Sequence, residues 1–156
     1  MRFTKLVLAV TCALAFGSAS SEADTVSAMS GHGWPNHFDS CFGSSWALMQ
    51  NNCSGSVGSQ RLLIIPAQAA YWGYNSVIAK AAGNGSNGMT NCQGISAWTG
   101  SDGQSGISFT SIVSTNMATA PQWLNLGAIT VWPGGTMHFE CFVAQGGGRV
   151  FSVDFQ

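Results

Sequence analysis

Chemistry in this chain has few carriers: three histidines, six carboxylates and five cysteines among 156 residues. His32, His37 and Asp39 form the densest group, with His138 further on. Imidazole and carboxylate donors of this kind suit a borderline divalent metal such as zinc. Gly31, Gly33 and Pro35 break up the same stretch, so nothing orients the donors, and neither a metal site nor a cofactor is expected. Glu140 and Asp154 fall on two C-terminal strand-like segments that would become cross-strand neighbours if the segments form a hairpin. Two facing carboxylates about 5 to 10 Å apart are what glycoside hydrolysis requires. The plainer reading is a solvent-facing row with Arg149 as counterion. Serines are abundant, but no Gly-x-Ser-x-Gly elbow is present.

Gly83-x-Gly85-x-x-Gly88 fits the dinucleotide fingerprint on paper. That motif needs a strand before it and a helix after it, whose amino end receives the pyrophosphate. Here no helical periodicity follows, and the two Asn-Gly steps, Asn84-Gly85 and Asn87-Gly88, are turn formers that accept positive φ. The segment is read as a turn. No catalytic residue is expected, and the chain is read as a non-enzyme.

The aromatic residues carry the most pointed binding signal. Six tryptophans are many for this length, and Tyr71-Trp72-Gly73-Tyr74 places three aromatics in four positions. Exposed rings of this kind stack on the apolar faces of sugars, while neighbouring Asn, Gln and Ser bond the hydroxyls. Tyr71, Trp72 and Tyr74 are therefore the candidate ligand-binding residues. Trp46, Trp98 and Trp132 are assigned to the core.

These side chains must be held by a domain whose compartment is written at the amino end. Arg2 and Lys5 precede an apolar stretch from Leu6 to Phe16, followed by small residues through Ala23. This is the layout of a secretory signal peptide, read here as residues 1–23, and eleven apolar residues fall short of a bilayer span. Cys12 belongs to this leader, in a context that makes a poor lipidation site. An exported chain meets an oxidising environment, so Cys41, Cys53, Cys92 and Cys141 are read as two disulfides. Of the three possible pairings, Cys41 with Cys53 and Cys92 with Cys141 is preferred: the first closes a short loop and the second joins segments distant in sequence.

After the leader only Arg61, Lys80 and Arg149 are basic, against Asp24, Asp39, Asp102, Glu140 and Asp154. Three scattered cations cannot form the basic face that a nucleic acid requires, nor one that holds an anionic membrane. Disorder is excluded too, because 46% of the chain is apolar and aromatics are plentiful. A surface of Ser, Thr, Asn, Gln and Gly repels its neighbours weakly. It suits close packing, self-association, a neutral glycan or another extracellular protein.

Residues 24–37 read as an irregular lead-in and residues 38–156 as a single domain. Arg61 to Ala69 is a buried strand carrying Pro66 at an edge or bulge. Tyr74 to Ala82 and Met89 to Thr99 flank the Asn-Gly turn as a hairpin. Gly106 to Thr115 places Ile107, Phe109, Ser111 and Val113 on one face, with period two. Trp123 to Trp132 and Thr136 to Ala144 flank Pro133-Gly134-Gly135 as a second hairpin. Arg149 to Gln156 turns Phe151, Val153 and Phe155 inward. Seven to eight short strands predict an all-β fold, an antiparallel β-sandwich of immunoglobulin-like or jelly-roll-like type. The functional expectation is a secreted, extracellular or periplasmic, non-catalytic surface acting by contact. A carbohydrate-binding module and a small secreted hydrolase are the alternatives.

Overall fold

The computed structural model describes residues 24–45, 47–55, 59–68, 73–86 and 88–156, with the backbone alone at 36–38 and 74. The leader expected over 1–23 lies outside these residues. Twelve strands run in chain order among them: β1 (Asp24–Ser27), β2 (His32–Trp34), β3 (Phe42–Ser45), β4 (Leu48–Asn51), β5 (Gln60–Ala67), β6 (Gly73–Ala82), β7 (Asn91–Thr99), β8 (Ser105–Phe109), β9 (Val113–Ser114), β10 (Gln122–Val131), β11 (Thr136–Ala144) and β12 (Arg149–Phe155). All pairings are antiparallel. Sheet A has the order β10-β6-β12-β4-β3, with β1 beside β12 beyond the end of β4, and sheet B has β2-β5-β11-β7-β8, with β9 beside β7. The expected β-sandwich is thus observed, with more strands than the seven to eight anticipated.

The excess comes largely from the amino-terminal side. Residues 24–37, expected to be irregular, contribute a strand to each sheet: β1 pairs with β12, and β2 pairs with β5. Val26 turns toward the core and Gly33 is buried opposite Leu63, so even this small, polar stretch has an inward face.

Alternation builds the core. Leu63 and Ile65 of β5, Met137, Phe139, Cys141 and Val143 of β11 meet Val77, Ala79 and Ala81 of β6 and Val150, Val153 and Phe155 of β12. Phe139 and Phe155 join the layers, with ring centroids 6.0 Å apart. Both disulfides adopt the preferred pairing. Cys92 and Cys141 are directly opposed on β7 and β11 and lie within the core.

Two bulges reset the period. In β10 the register shifts between Asn125 and Gly127, so Leu124, Leu126, Ile129 and Val131 all face inward although their spacing breaks strict alternation. Gly127 has φ of 90° there, a conformation glycine adopts without strain, and its N–H donates to Asn125 Oδ1 at 3.0 Å. In β12 the shift between Val150 and Ser152 puts Val150 inside in place of Phe151. The expected inward trio of Phe151, Val153 and Phe155 is corrected to Val150, Val153 and Phe155.

Neither of the two expected hairpins pairs in-sheet, nor do the last two strands pair with each other. The connections β6–β7, β10–β11 and β11–β12 each pass from one sheet to the other. The Asn84 loop makes its crossing with Asn84 Oδ1 accepting from the N–H groups of Ser86 and Gly88 while its Nδ2 donates to Gln145 O. Thr90 Oγ1 then donates to Ala82 O across the gap. A tight reversal with apolar strands on both sides is compatible with pairing or with facing across a core, and here the strands face. No helix among the described residues is long and apolar enough to cross a membrane.

Candidate functional site

Directly opposed residues of an antiparallel pair share a face, so the register fixes the outer surface of sheet B. One row across it reads Trp34, Leu62, Phe142, Asn91, and the next His32, Ile64, Glu140, Gln93. A third reads Pro66, His138, Ile95, Phe109, and a fourth Thr136, Ala97, Ile107. Ile107, Phe109 and Trp34 are exposed by 62%, 58% and 52%, and Leu62, Ile64 and Phe142 are half-buried. The face spans five strands, with Trp34, Leu62, Ile64 and Phe142 toward β2, Ile95, Ile107 and Phe109 toward β8, and Glu140, Gln93 and His138 between them. Its one carboxylate, Glu140, accepts from Gln93 Nε2 at 3.0 Å and lies 3.6 Å from His138 Nε2, so its charge is engaged within the face.

Ile107 and Phe109 were expected on a common face with Val113. Residues 106–115 are instead divided between β8 and β9, and the larger residues of β8 point outward while Gly106 and Ser108 turn in. The reason is Trp98. A methyl group at Gly106 would lie 2.5 Å from Trp98 Nε1, so the indole already fills the space an inward side chain of β8 would take.

Among the described residues, the titratable groups singled out in the sequence are dispersed. Asp39 accepts from the N–H of Gly33 and thereby anchors the segment after β2. His32 is exposed on the outer face of sheet B, and the side chain of His37 lies outside the described residues. Among the described residues no three His, Cys, Asp or Glu side chains are grouped to hold a metal. Glu140 and Asp154 sit on the outer faces of opposite sheets, with the core between them. They are not the cross-strand neighbours the sequence allowed, because β11 and β12 face each other across the core. Asp154 borders a shallow hollow of about 290 Å³ with Thr25, Ser76 and Ile78.

The aromatic residues separate into three places. Trp123, 61% exposed, lies on the outer face of sheet A beneath Lys80, whose Nζ is 4.8 Å from its ring centroid and 5.8 Å from that of Phe151. Trp34 stands at the β2 margin of sheet B. Trp98 and Trp132 pair at one end of the sandwich, centroids 5.4 Å apart and planes tilted by 41°. Assignment of these two to the core is corrected: Trp132 is 48% exposed and Trp98 half-buried. Trp132 follows the last residue of β10 and begins the connection to the other sheet, at the margin of the sandwich and not between its layers. Two hollows flank the turn that follows it, of about 350 and 480 Å³, and share Gly134 and Thr136.

Of the sequence-derived ligand candidates, Tyr71 and Trp72 lie outside the described residues, as does Trp46. Tyr74 pairs with Thr130 in the β6–β10 ladder. The structure therefore brings out two surfaces that sequence reasoning missed: the outer face of sheet B and the Trp98–Trp132 end. The alternation of Gly106, Ser108 and Thr110 against Ile107 and Phe109 was the available signal for the first. For the second there was only the position of Trp132 beside Pro133-Gly134-Gly135.

No protein-family model matches this chain, and no curated protein matches it. Among solved structures, it is similar to the crystal structure of the CBM36-1 domain of a multidomain xylanase from the hindgut metagenome of Trinervitermes trinervoides, with a TM-score of 0.46 at 10% sequence identity, covering 86% of this chain and 96% of that one.

Proposed function

We propose that this is an exported, non-catalytic domain that works by contact, as an interaction or structural component of an extracellular layer. The observation that carries the reading is the outer face of sheet B, where exposed Trp34 stands with half-buried Leu62, Ile64 and Phe142 toward the β2 margin and exposed Ile107 and Phe109 stand at the β8 margin. Large apolar side chains grouped on one exposed face mark a protein–protein contact more readily than scattered single ones do. The few charges elsewhere supply little repulsion to keep copies apart. Two disulfides fit a protein that must persist outside the cell. Light scattering over a concentration series tests the reading: the wild type should associate, and the double variant Ile107→Ser, Phe109→Ser should remain monomeric with its thermal midpoint retained. A wild type that stays monomeric throughout, or a variant that associates equally well, would overturn it.

A second reading, binding of a neutral glycan, is favoured by the exposed Trp132 braced by Trp98 beside hollows walled by hydroxyl and amide side chains. A hydrolase reading draws no comparable support, since Glu140 and Asp154 face away from each other.

A further inference from the structure

We infer that the glycan site of the second reading, on which this inference rests, lies at the β10–β11 turn, with Trp132 as the stacking platform and a chain of neutral sugars crossing the turn from one hollow to the other. The hollows share Gly134 and Thr136 and so adjoin at the turn; Trp98 lines the first, and Trp132, which lines neither, stands at the start of the turn with its ring against Trp98. The volumes of the hollows, about 350 and 480 Å³, each fall in the range of roughly 300 to 1,000 Å³ usual for small-molecule sites. Gly134 keeps the turn between them low: it has φ of 76°, and nothing lies within 4 Å of where its side chain would begin.

Trp132 is held ready to stack. Its ring leans on Trp98, and Trp98 is wedged against Gly106, with Gly135 approaching its Cβ from the turn. An aromatic surface fixed in this way loses little side-chain freedom on binding, which is the usual advantage of a pre-organised site. The walls decide the ligand class. Gln68, Thr99, Ser105 and Thr136 offer hydroxyl and amide groups, and no charged side chain lines either hollow among the described residues. Nothing there would offset the desolvation of an anionic or cationic sugar, whereas the hydroxyls of a neutral one find donors and acceptors beside an apolar ring.

The test is calorimetric titration of the full exported chain with neutral hexasaccharides (xylo-, cello-, manno- and chito-oligomers), an oligogalacturonide serving as the charged comparison. Trp132→Ala removes the platform, Thr136→Arg fills the shared wall while leaving both tryptophans, and Trp123→Ala removes an exposed tryptophan on the far sheet. The expected result is binding of at least one neutral hexasaccharide that weakens about tenfold or more in both Trp132→Ala and Thr136→Arg and is unchanged in Trp123→Ala. Undiminished binding in the first two variants would overturn this location while leaving glycan binding itself standing. Preference for the oligogalacturonide would overturn the neutral class, and absence of binding to every sugar by the wild type would overturn the glycan reading and this inference with it.

Discussion

Removing the two disulfides one at a time separates stabilisation of the folded state from restriction of the unfolded chain. Cys92 and Cys141 are 49 residues apart in sequence, and Cys41 and Cys53 are 12 apart. By the loop-entropy relation the first crosslink contributes about 4 kcal/mol at 25 °C and the second about 3 kcal/mol. β7 and β11 pair along their backbones from Thr136↔Ala97 to Phe142↔Asn91, so deletion of the crosslink is expected to remove little native structure. Cys92 and Cys141 lie in the core, 1% and 0% exposed, and truncating both to alanine adds about 1 kcal/mol for each methyl-sized void. The variant Cys92→Ala, Cys141→Ala should therefore lose about 5 to 6 kcal/mol, a large share of the roughly 5 to 15 kcal/mol typical of a domain. Cys41→Ala, Cys53→Ala should lose about 3 to 4 kcal/mol, since Cys41 is buried and Cys53 only partly so. Urea unfolding without reductant, so that the remaining disulfide stays closed, reads both quantities, and the slope of free energy against urea should rise in each variant as the freed chain exposes more surface. Equal destabilisation by the two pairs would refute the reasoning, for it would place the effect in native contacts and not in chain entropy.

Two further predictions concern the groups that hold the layers and the tryptophan pair. Asn51 is fully buried, donates Nδ2 to Val143 O at 2.9 Å and accepts from the N–H of Cys53 at 3.1 Å, tying β4 of sheet A to β11 of sheet B. Asn51→Leu should cost about 2 to 4 kcal/mol in urea unfolding, because it strands a buried N–H and carbonyl; a loss below about 1 kcal/mol would show that neither depends on it. Gly106→Val should push the Trp98 indole off β8 and release Trp132, reducing the near-ultraviolet circular dichroism while the far-ultraviolet spectrum is kept, at a cost of about 1 to 3 kcal/mol. An unchanged near-ultraviolet spectrum would mean that Trp98 does not rest where the geometry puts it.

Strand positions were largely legible in the sequence because a β-sandwich core demands period two. The segments expected at 136–144 and 149–156 emerge as Thr136–Ala144 and Arg149–Phe155. Pro66, expected at an edge or bulge, sits in β5 beyond the pairing with β2, where one side of the strand has no neighbour in that ladder. The cysteine pairing was legible for the reason given, one short loop and one long. What alternation leaves open is phase and partner. Phe151 and Val150 exchange places across a bulge, and Gly127 marks a bulge only once φ is known. Ile107 and Phe109 alternate correctly yet face out, because the inward space is filled by a ring from β7, a contact that leaves no mark in the local pattern. The contact surfaces were illegible for the same reason: which face of a strand meets solvent depends on a partner far away in sequence.

The crossing connections bind these points together. The chain visits sheet A with β1, sheet B with β2, A with β3 and β4, B with β5, A with β6, B with β7, β8 and β9, A with β10, B with β11 and A with β12. Neither sheet can be completed from a contiguous piece of sequence, so both must form together, through contacts of long sequence separation that make folding slow and unfolding cooperative. The turns at 83–90, 132–135 and 145–148 are short and lie at strand ends, where they cannot reach across a sheet. The outer face of sheet B is left bare by this topology, and Trp132 is carried to the end of the sandwich by it. Both surfaces thus follow from one property of the chain: although β3–β4 and β7–β8 close hairpins within a sheet, the connections after β6, β10 and β11 pass between the layers.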